Sequence, residues 1–444
     1  MQILEEYQDL QKKILDSFSK SQGKRIGLAV SGGGDSLAML LMVASLIDRE
    51  NYQIEVATVD HGLRTESTVE AQFVKNICVS SYLKHSILKW EKPGNINNIQ
   101  NCARLARIGL LTEWAYKKRI SMILLGHSAD DQAETIIMNL IRGSGLEGLR
   151  GMPPFFTNKG IIFIRPFLSV GRDRLRNFLQ DHKQSWIEDP SNSNYKFQRI
   201  KVRKILPKLA ELGLTRNRIN LTGERMASAS SLLRHLAASE IENCVSINSW
   251  GELKIIKNHF LFLPEEVQMR ILTAIVGGLR GSQYRPRYKL IKSLLERMSK
   301  NLTWSGVTTF GLKITENKSF FLFQREISAI PDIADIASLH KYNLPRKKKK
   351  KLEPMFIWDN RWIISIKSSQ NYSVAKIGRI INKATLKCLR KGNSDLKYYT
   401  AASLPAIFIQ GKIVALAGLM PSDQFIFSIL YSKQTFVKRL ENGQ

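Results

Sequence analysis

This chain has only four cysteines in 444 residues, Cys78, Cys102, Cys244 and Cys388, and no CxxC pair. That excludes the usual spacing of a disulfide framework or a thiolate metal cage and leaves reduced thiols serving as small core side chains. Long apolar runs are also missing. Gln410, Gly411 and Lys412 interrupt the stretch from Leu404 to Leu419, so nothing reaches the roughly 18 residues that a membrane helix needs. The first residues include Glu5, Glu6 and Asp9 and show neither a secretory signal nor a transit peptide, so a soluble, cytoplasmic protein is expected. Acidic side chains are scarce, with 38 Asp and Glu against 67 Lys and Arg and a formal charge of +29. A hydrophobic share of 43% excludes wholesale disorder, and the length suggests two to four domains.

The charge is unevenly placed. Residues 1–200 carry 26 basic and 21 acidic side chains, whereas residues 201–444 carry 41 and 17. A near-neutral first part suits an enzyme core, and the second part creates a field that attracts polyanions, nucleic acid first among them. The run Arg346 to Lys351 reads as a solvated basic linker and a domain boundary.

Short apolar runs at Ile26 to Val30, Ile54 to Val59, Ser86 to Trp90, Met122 to Leu125 and Ile161 to Ile164 alternate with helical patterns. That alternation predicts an α/β domain with a parallel sheet, whose ligand sits at the carboxyl ends of the strands. After the first run comes Ser31-Gly32-Gly33-Gly34-Asp35-Ser36, then a helix. Three glycines allow an anion to approach the backbone, two serines offer hydroxyls, and the helix start adds N–H groups. Asp35 inside such a cradle implies a cation, Mg²⁺, between it and a nucleotide. Asp60, His61 and Gly62 follow the second run, with Leu63 and Arg64 next, and suit ligand contact.

The richest end is Gly126 to Thr135, in which His127, Asp130, Asp131 and Glu134 fall on one helical face. Three carboxylates that close repel one another, so a metal, a cationic substrate or both are expected among them. Arg104 and Arg107 share a helix face suited to phosphate. Gly143 to Gly148 spells GxGxxG but follows a helix, which excludes a dinucleotide fingerprint and suggests a substrate loop. The turn-rich Trp186 to Asn192, with Phe197, Arg199 and Arg203 beyond it, says little alone.

With these residues in view, the chain resembles the PP-loop family of N-type ATP pyrophosphatases, whose SGGxDS stands at Ser31 to Ser36. VDHGLR (Val59 to Arg64), GHSADDQAET (Gly126 to Thr135), RGSGLEGLRGM (Arg142 to Met152), RPFL (Arg165 to Leu168) and EDPSN (Glu188 to Asn192) narrow the resemblance to the bacterial tRNA(Ile)-lysidine synthases. Ile108 and Ile200 stand where that family usually has Tyr and Asn.

The resemblance implies an adenine-nucleotide-hydrolase-like catalytic domain over residues 1–212. Beyond it, the amphipathic pattern from Arg216 to Ser246, with Leu221, Leu232, Leu233, Leu236 and Ile241 as apolar members, predicts a mainly helical tRNA-binding domain over 213–340. After a basic linker over 341–353, Phe356 to Ile364 and Ala406 to Val414 each read as strands around a tight turn and predict a small β-rich, mixed α+β domain over 354–444. The resemblance implies ATP and Mg²⁺ as cofactors, free L-lysine and tRNA(Ile) with a CAU anticodon as substrates, and it allows a homodimer. Ser31 to Ser36, Asp60 and His61 would bind ATP, with Asp35 and Asp131 on the metal. Asp35, Asp130, Asp131 and Glu134 would be catalytic. Arg104, Arg107 and His127, with the same three carboxylates of 130–134, would hold lysine or the intermediate, while Arg142, Arg199 and Arg203 would contact tRNA. The competing expectations are a PP-loop tRNA thiolase and an RNA-binding module without catalysis.

Overall fold

The computed structural model describes residues 5–21, 23–46, 52–62, 66–91, 99–188, 198–281, 285–300, 306–336, 355–366, 372–377, 396–410, 412–420 and 424–441, with Leu339, Lys387 and Ser422. Leu63, Arg64, Asp189 to Asn192, Phe197, Cys388 and the linker 341–353 lie outside the described residues. The chain forms two compact units, residues 1–230 and 231–444. Among the described residues no helix is long and apolar enough to cross a membrane.

The first unit is built on a six-stranded sheet of β1 (Arg25–Ala29), β2 (Gln53–Asp60), β3 (Lys84–Lys89), β4 (Met122–Leu125), β5 (Phe155–Asn158) and β6 (Ile161–Ile164). The order is β3-β2-β1-β4-β6-β5, parallel throughout except for β5, an edge strand the sequence did not reveal. The helices are α1 (Gln8–Phe18), α2 (Gly34–Ala44), α3 (Glu66–Ser80), α4 (Ile99–Lys118), α5 (Ala129–Ile141), the short α6 (Leu146–Leu149), α7 (Arg172–Asp181), α8 (Gln198–Glu211) and α9 (Arg216–Cys244).

Alternation along the strands gives the sheet its two faces. Ile26, Leu28, Met122 and Leu124 join a core with α1, α2, α3 and α7, while Ala29, Ile123 and Leu125 join Leu111, Trp114 and Ala115 of α4 on the other side. Gly27 receives the Trp114 ring, and a Cβ there would lie 2.8 Å from it. The chain leaves β1 for β2 on one side, and β4 lies on the other, so the ends of β1 and β4 open the crevice where α/β sheets bind ligands.

The second unit holds more sheet than its helical pattern promised. Strands β7 (Val245–Ile247), β8 (Leu253–Ile256), β9 (Val307–Thr309), β10 (Leu312–Glu316) and β11 (Phe320–Arg325) form an antiparallel sheet. It shares one core with helices α11 (Glu265–Leu279) and α12 (Tyr288–Ser299), α10 (Lys257–Phe262) preceding them. Runs of three to six residues are too short to stand out beside long helical stretches.

Beyond them lie β12 (Ile333–Asp335), β13 (Met355–Trp358), β14 (Trp362–Ile366), β15 (Ser373–Lys376), α13 (Tyr398–Ala402), β16 (Pro405–Ile409), β17 (Lys412–Leu416), β18 (Phe425–Ile429) and α14 (Lys433–Glu441). The expected hairpins are present as β13 with β14 and β16 with β17. Buried polar groups tie the parts of this unit together: Asp359 accepts from Arg325 and Arg361, and Gln324 donates to Glu252.

Candidate active site

The loop after β1 is fixed by its own serines. The Ser31 N–H donates to Ser36 Oγ at 3.2 Å, and Ser36 Oγ donates to the Gly33 carbonyl at 2.9 Å. Gly32 has φ +89°, a conformation open to glycine, and Gly33 is the N-cap of α2. The amides that start α2 therefore face the crevice as an anion cradle. The end of β4 presses directly on this loop: a Cβ on Gly126 would lie 2.7 Å from Ser36 Cα and 3.1 Å from the Asp35 carbonyl oxygen. Only a glycine permits that approach, and it sets the phosphate loop beside the carboxylates of α5.

α5 begins with a capping box, in which the Ser128 N–H donates to Asp131 Oδ2 at 2.9 Å. The second Asp131 oxygen accepts from Arg172 Nη2 and from Arg199 Nη2, both at 2.9 Å. Glu134 is 1% exposed and accepts from Arg199 Nε at 2.6 Å and Arg203 Nε at 2.8 Å, with Arg172 Nη1 at 3.4 Å. Asp130 accepts from the Arg172 backbone N–H at 2.8 Å and from Arg216 Nη1 at 3.0 Å. Asp35 lies 3.4 Å from Arg172 Nε. Burial pushes the Asp35 carboxyl up to about 6; Arg172 opposes that rise and Asp131 adds to it.

The four carboxylates expected from the sequence thus converge, and the cation that their repulsion demanded is supplied largely by the protein itself. Arg172 bridges Asp35, Asp131 and Glu134, and neither it nor Arg216 was marked in the sequence. Both stand far along the chain from α5; Arg172 had as its signal only the RPFL string a few residues before α7, and Arg216 had none. Arg199 and Arg203 point inward to Glu134, an ion-pairing duty beside the tRNA contact expected of them. Arg142 is exposed at the end of α5 and donates to Gln198.

A second cluster is basic. His127, against the β4 end, feels Arg165, Arg107, Arg199 and Arg104, and burial with this charge keeps its imidazole neutral. Its Nδ1 is buried without a hydrogen-bond partner among the described residues. Burial and the neighbouring Arg104 and Arg107 bring Arg165 down to about 10, so it stays cationic at neutral pH. Ile108 and Ile200, the departures from the family pattern, pack as apolar side chains. On the far side, Asp60 accepts from the Gly62 N–H, Ser67 and Thr68; burial opposes its ionisation, yet these bonds hold its pKa below the usual carboxylate value. His61 stands edge-on to Trp90, with its own pKa lowered by burial and by Arg107.

Trp186 and Ile187 complete the mouth of the cradle. The Ile187 N–H donates to the Gly32 carbonyl at 3.0 Å, and Ser31, Gly34, Asp35, Arg172, Arg176 and Trp186 line the cleft. The segment before EDPSN, uninformative as sequence, is the wall of the phosphate loop. The GxGxxG string instead forms the helical turn α6, closed by Asn139 Nδ2 on the Gly148 carbonyl. Among the described residues no group of three or more His, Cys, Asp and Glu is placed to hold a metal by itself.

The chain's likenesses agree with this geometry. A PP-loop domain model matches residues 6–209. The tRNA(Ile)-lysidine synthase of Ruegeria pomeroyi is 38% identical over 291 residues, 66% of this chain and 69% of the relative. Those of Wolbachia sp. subsp. Brugia malayi and Wolbachia pipientis wMel are 31% and 33% identical and cover 92% and 88% of both chains. With a PP-loop on β1, a carboxylate-bearing α5 against it and relatives aligned through both units, the chain belongs to the tRNA(Ile)-lysidine synthase family.

Proposed function

We propose that the chain joins L-lysine to carbon 2 of the wobble cytidine in the CAU anticodon of tRNA(Ile), using ATP and forming lysidine, so that the tRNA reads AUA and accepts isoleucine. The observation that carries this reading is the Gly126 contact, which sets the phosphate cradle of Ser31 to Ser36 against Asp130, Asp131 and Glu134. In the first step the cytosine 2-oxygen attacks the α-phosphorus of ATP and pyrophosphate leaves, the cradle's N–H groups stabilising the phosphate charge that develops. In the second step the lysine ε-amine forms the C–N bond at carbon 2 and AMP departs with the oxygen.

Lysine enters as a cation and must lose a proton from a group of ordinary pKa about 10.4. The carboxylates of α5 suit both tasks, attracting the ammonium and accepting its proton. Asp35 and Asp131 share one guanidinium, that of Arg172, and would hold a Mg²⁺ ion brought in with the nucleotide only by exchanging that partner for it. When bound, the ion shields the phosphate charge. Arg104, Arg107 and His127 would hold the adenylated cytidine, and Arg142 with the basic surface of residues 201–444 would grip tRNA. Thiolation is disfavoured, because the sequence holds no CxxC pair for a sulfur relay and the relatives that match along the chain are lysidine synthases.

The test is incorporation of labelled lysine into a CAU-anticodon isoleucine tRNA transcript with ATP and Mg²⁺, for the wild type and Asp35→Ala. Incorporation by the wild type alone is expected. Pyrophosphate release without incorporation would move the reading to another nucleophile, and neither signal would leave a binding module.

A further inference from the structure

Arg172 and Arg176 stand one turn apart on α7 and line the cleft over the phosphate loop. Arg172 is committed to Asp35, Asp131 and Glu134. Arg176 is held differently. Its Nη2 donates to Glu188 Oε1 at 2.7 Å, in a pair whose side chains are 41% and 61% exposed, so water screens the attraction. Its Nε is buried with no hydrogen-bond partner among the described residues.

The rest of the side chain is well placed. Its Cγ would lie 3.7 Å from a Cβ on Gly34, so the stem runs beside the phosphate loop. The guanidinium lies 5.6 Å from the centre of the Trp186 ring, and Trp186 Nε1 donates to the same Glu188 oxygen at 3.2 Å. Stem and ring anchor the arginine while its charged head is weakly held and keeps one N–H unused. A planar fork so positioned, above the amides that start α2, matches the oxygens of a phosphate chain.

We propose that Arg176 takes the pyrophosphate end of the nucleotide and that Glu188 is the internal anion it exchanges. The inference rests on the ATP-dependent reading above. On nucleotide binding the guanidinium passes from one carboxylate to phosphate oxygens of greater charge. Once pyrophosphate has formed, Glu188 competes for the same guanidinium and speeds release. Removing Arg176 deletes a donor, whereas removing Glu188 deletes a competitor, so the two changes act in opposite directions. An ion pair that merely held the loop in place would respond alike to both, since either substitution breaks it.

The experiment is calorimetric titration of the full chain with inorganic pyrophosphate in Mg²⁺, with ATP and AMP titrated in parallel. Arg176→Gln should weaken pyrophosphate roughly tenfold, the size of one lost charge-assisted hydrogen bond, and leave AMP unchanged. Glu188→Gln should tighten pyrophosphate about threefold, and Arg176→Lys should fall between Arg176→Gln and the wild type. Equal weakening by both neutral variants, or no change in either, overturns the inference. A wild type that binds neither ATP nor pyrophosphate sinks the ATP-dependent reading as well, whereas ATP binding with pyrophosphate affinity unaltered by Arg176→Gln removes only the role of Arg176.

Discussion

Glu134 shows how far a residue's place can be read from its string and where that reading ends. GHSADDQAET marked it as one carboxylate on a helical face, because the spacing is local and a helix obeys it. The string could not show that Arg199 and Arg203 would enclose it, since that depends on where α8 returns. Glu134→Gln should therefore destabilise the fold by roughly 2 kcal/mol, a buried pair softened by partners that are a third or more exposed, read as a lower urea midpoint. Gly126→Ala drives a methyl group into Ser36, and loss of ATP binding by calorimetry is expected even where the protein still folds. His85, hydrogen-bonded to Thr58, supplies a pH effect away from the site. Burial brings its pKa from 6.5 to about 4, so the folded state binds fewer protons than the unfolded chain and stability falls as pH drops through that window. His85→Gln should flatten the decline between about pH 7 and 4.5 by on the order of 1–2 kcal/mol, measured by denaturant unfolding at each pH.

At the scale of elements, the parallel strands and the loop after β1 were legible because each announces itself within about ten residues. The hairpins after residue 355 were legible for the same reason. α7 was not, though it brings Arg172 and Arg176 to the cleft, because its sequence, rich in arginine, reads as an ordinary solvated helix. α9 was read as amphipathic with Leu221, Leu232 and Leu236 among its apolar members; Ile241 is buried, but those three are 47%, 62% and 45% exposed. Their periodicity was real, yet it did not reveal which stripe would find a partner. The meeting of α4 with β1 gives a prediction at this scale. Gly27→Ala overfills the slot of Trp114 and should cost about 1–3 kcal/mol, seen as a lower unfolding midpoint without a change in slope.

Across the whole molecule the charge is distributed in two ways. The excess on residues 201–444 should make tRNA affinity fall by about a hundredfold or more between 50 and 200 mM salt, measured by filter binding, while ATP affinity changes much less. Within the catalytic crevice the charges instead cancel locally, four carboxylates against Arg172, Arg199, Arg203 and Arg216. Those arginines are tethered, so each presents itself to its carboxylate at an effective concentration far above that of any dissolved ion. Sodium and potassium at cellular levels are therefore poor competitors for the pocket. A visitor succeeds only by bringing more than a single bare charge, such as two charges on one ion or an ammonium carried on a shape that fits, and the pocket thus filters its guests before any chemistry begins.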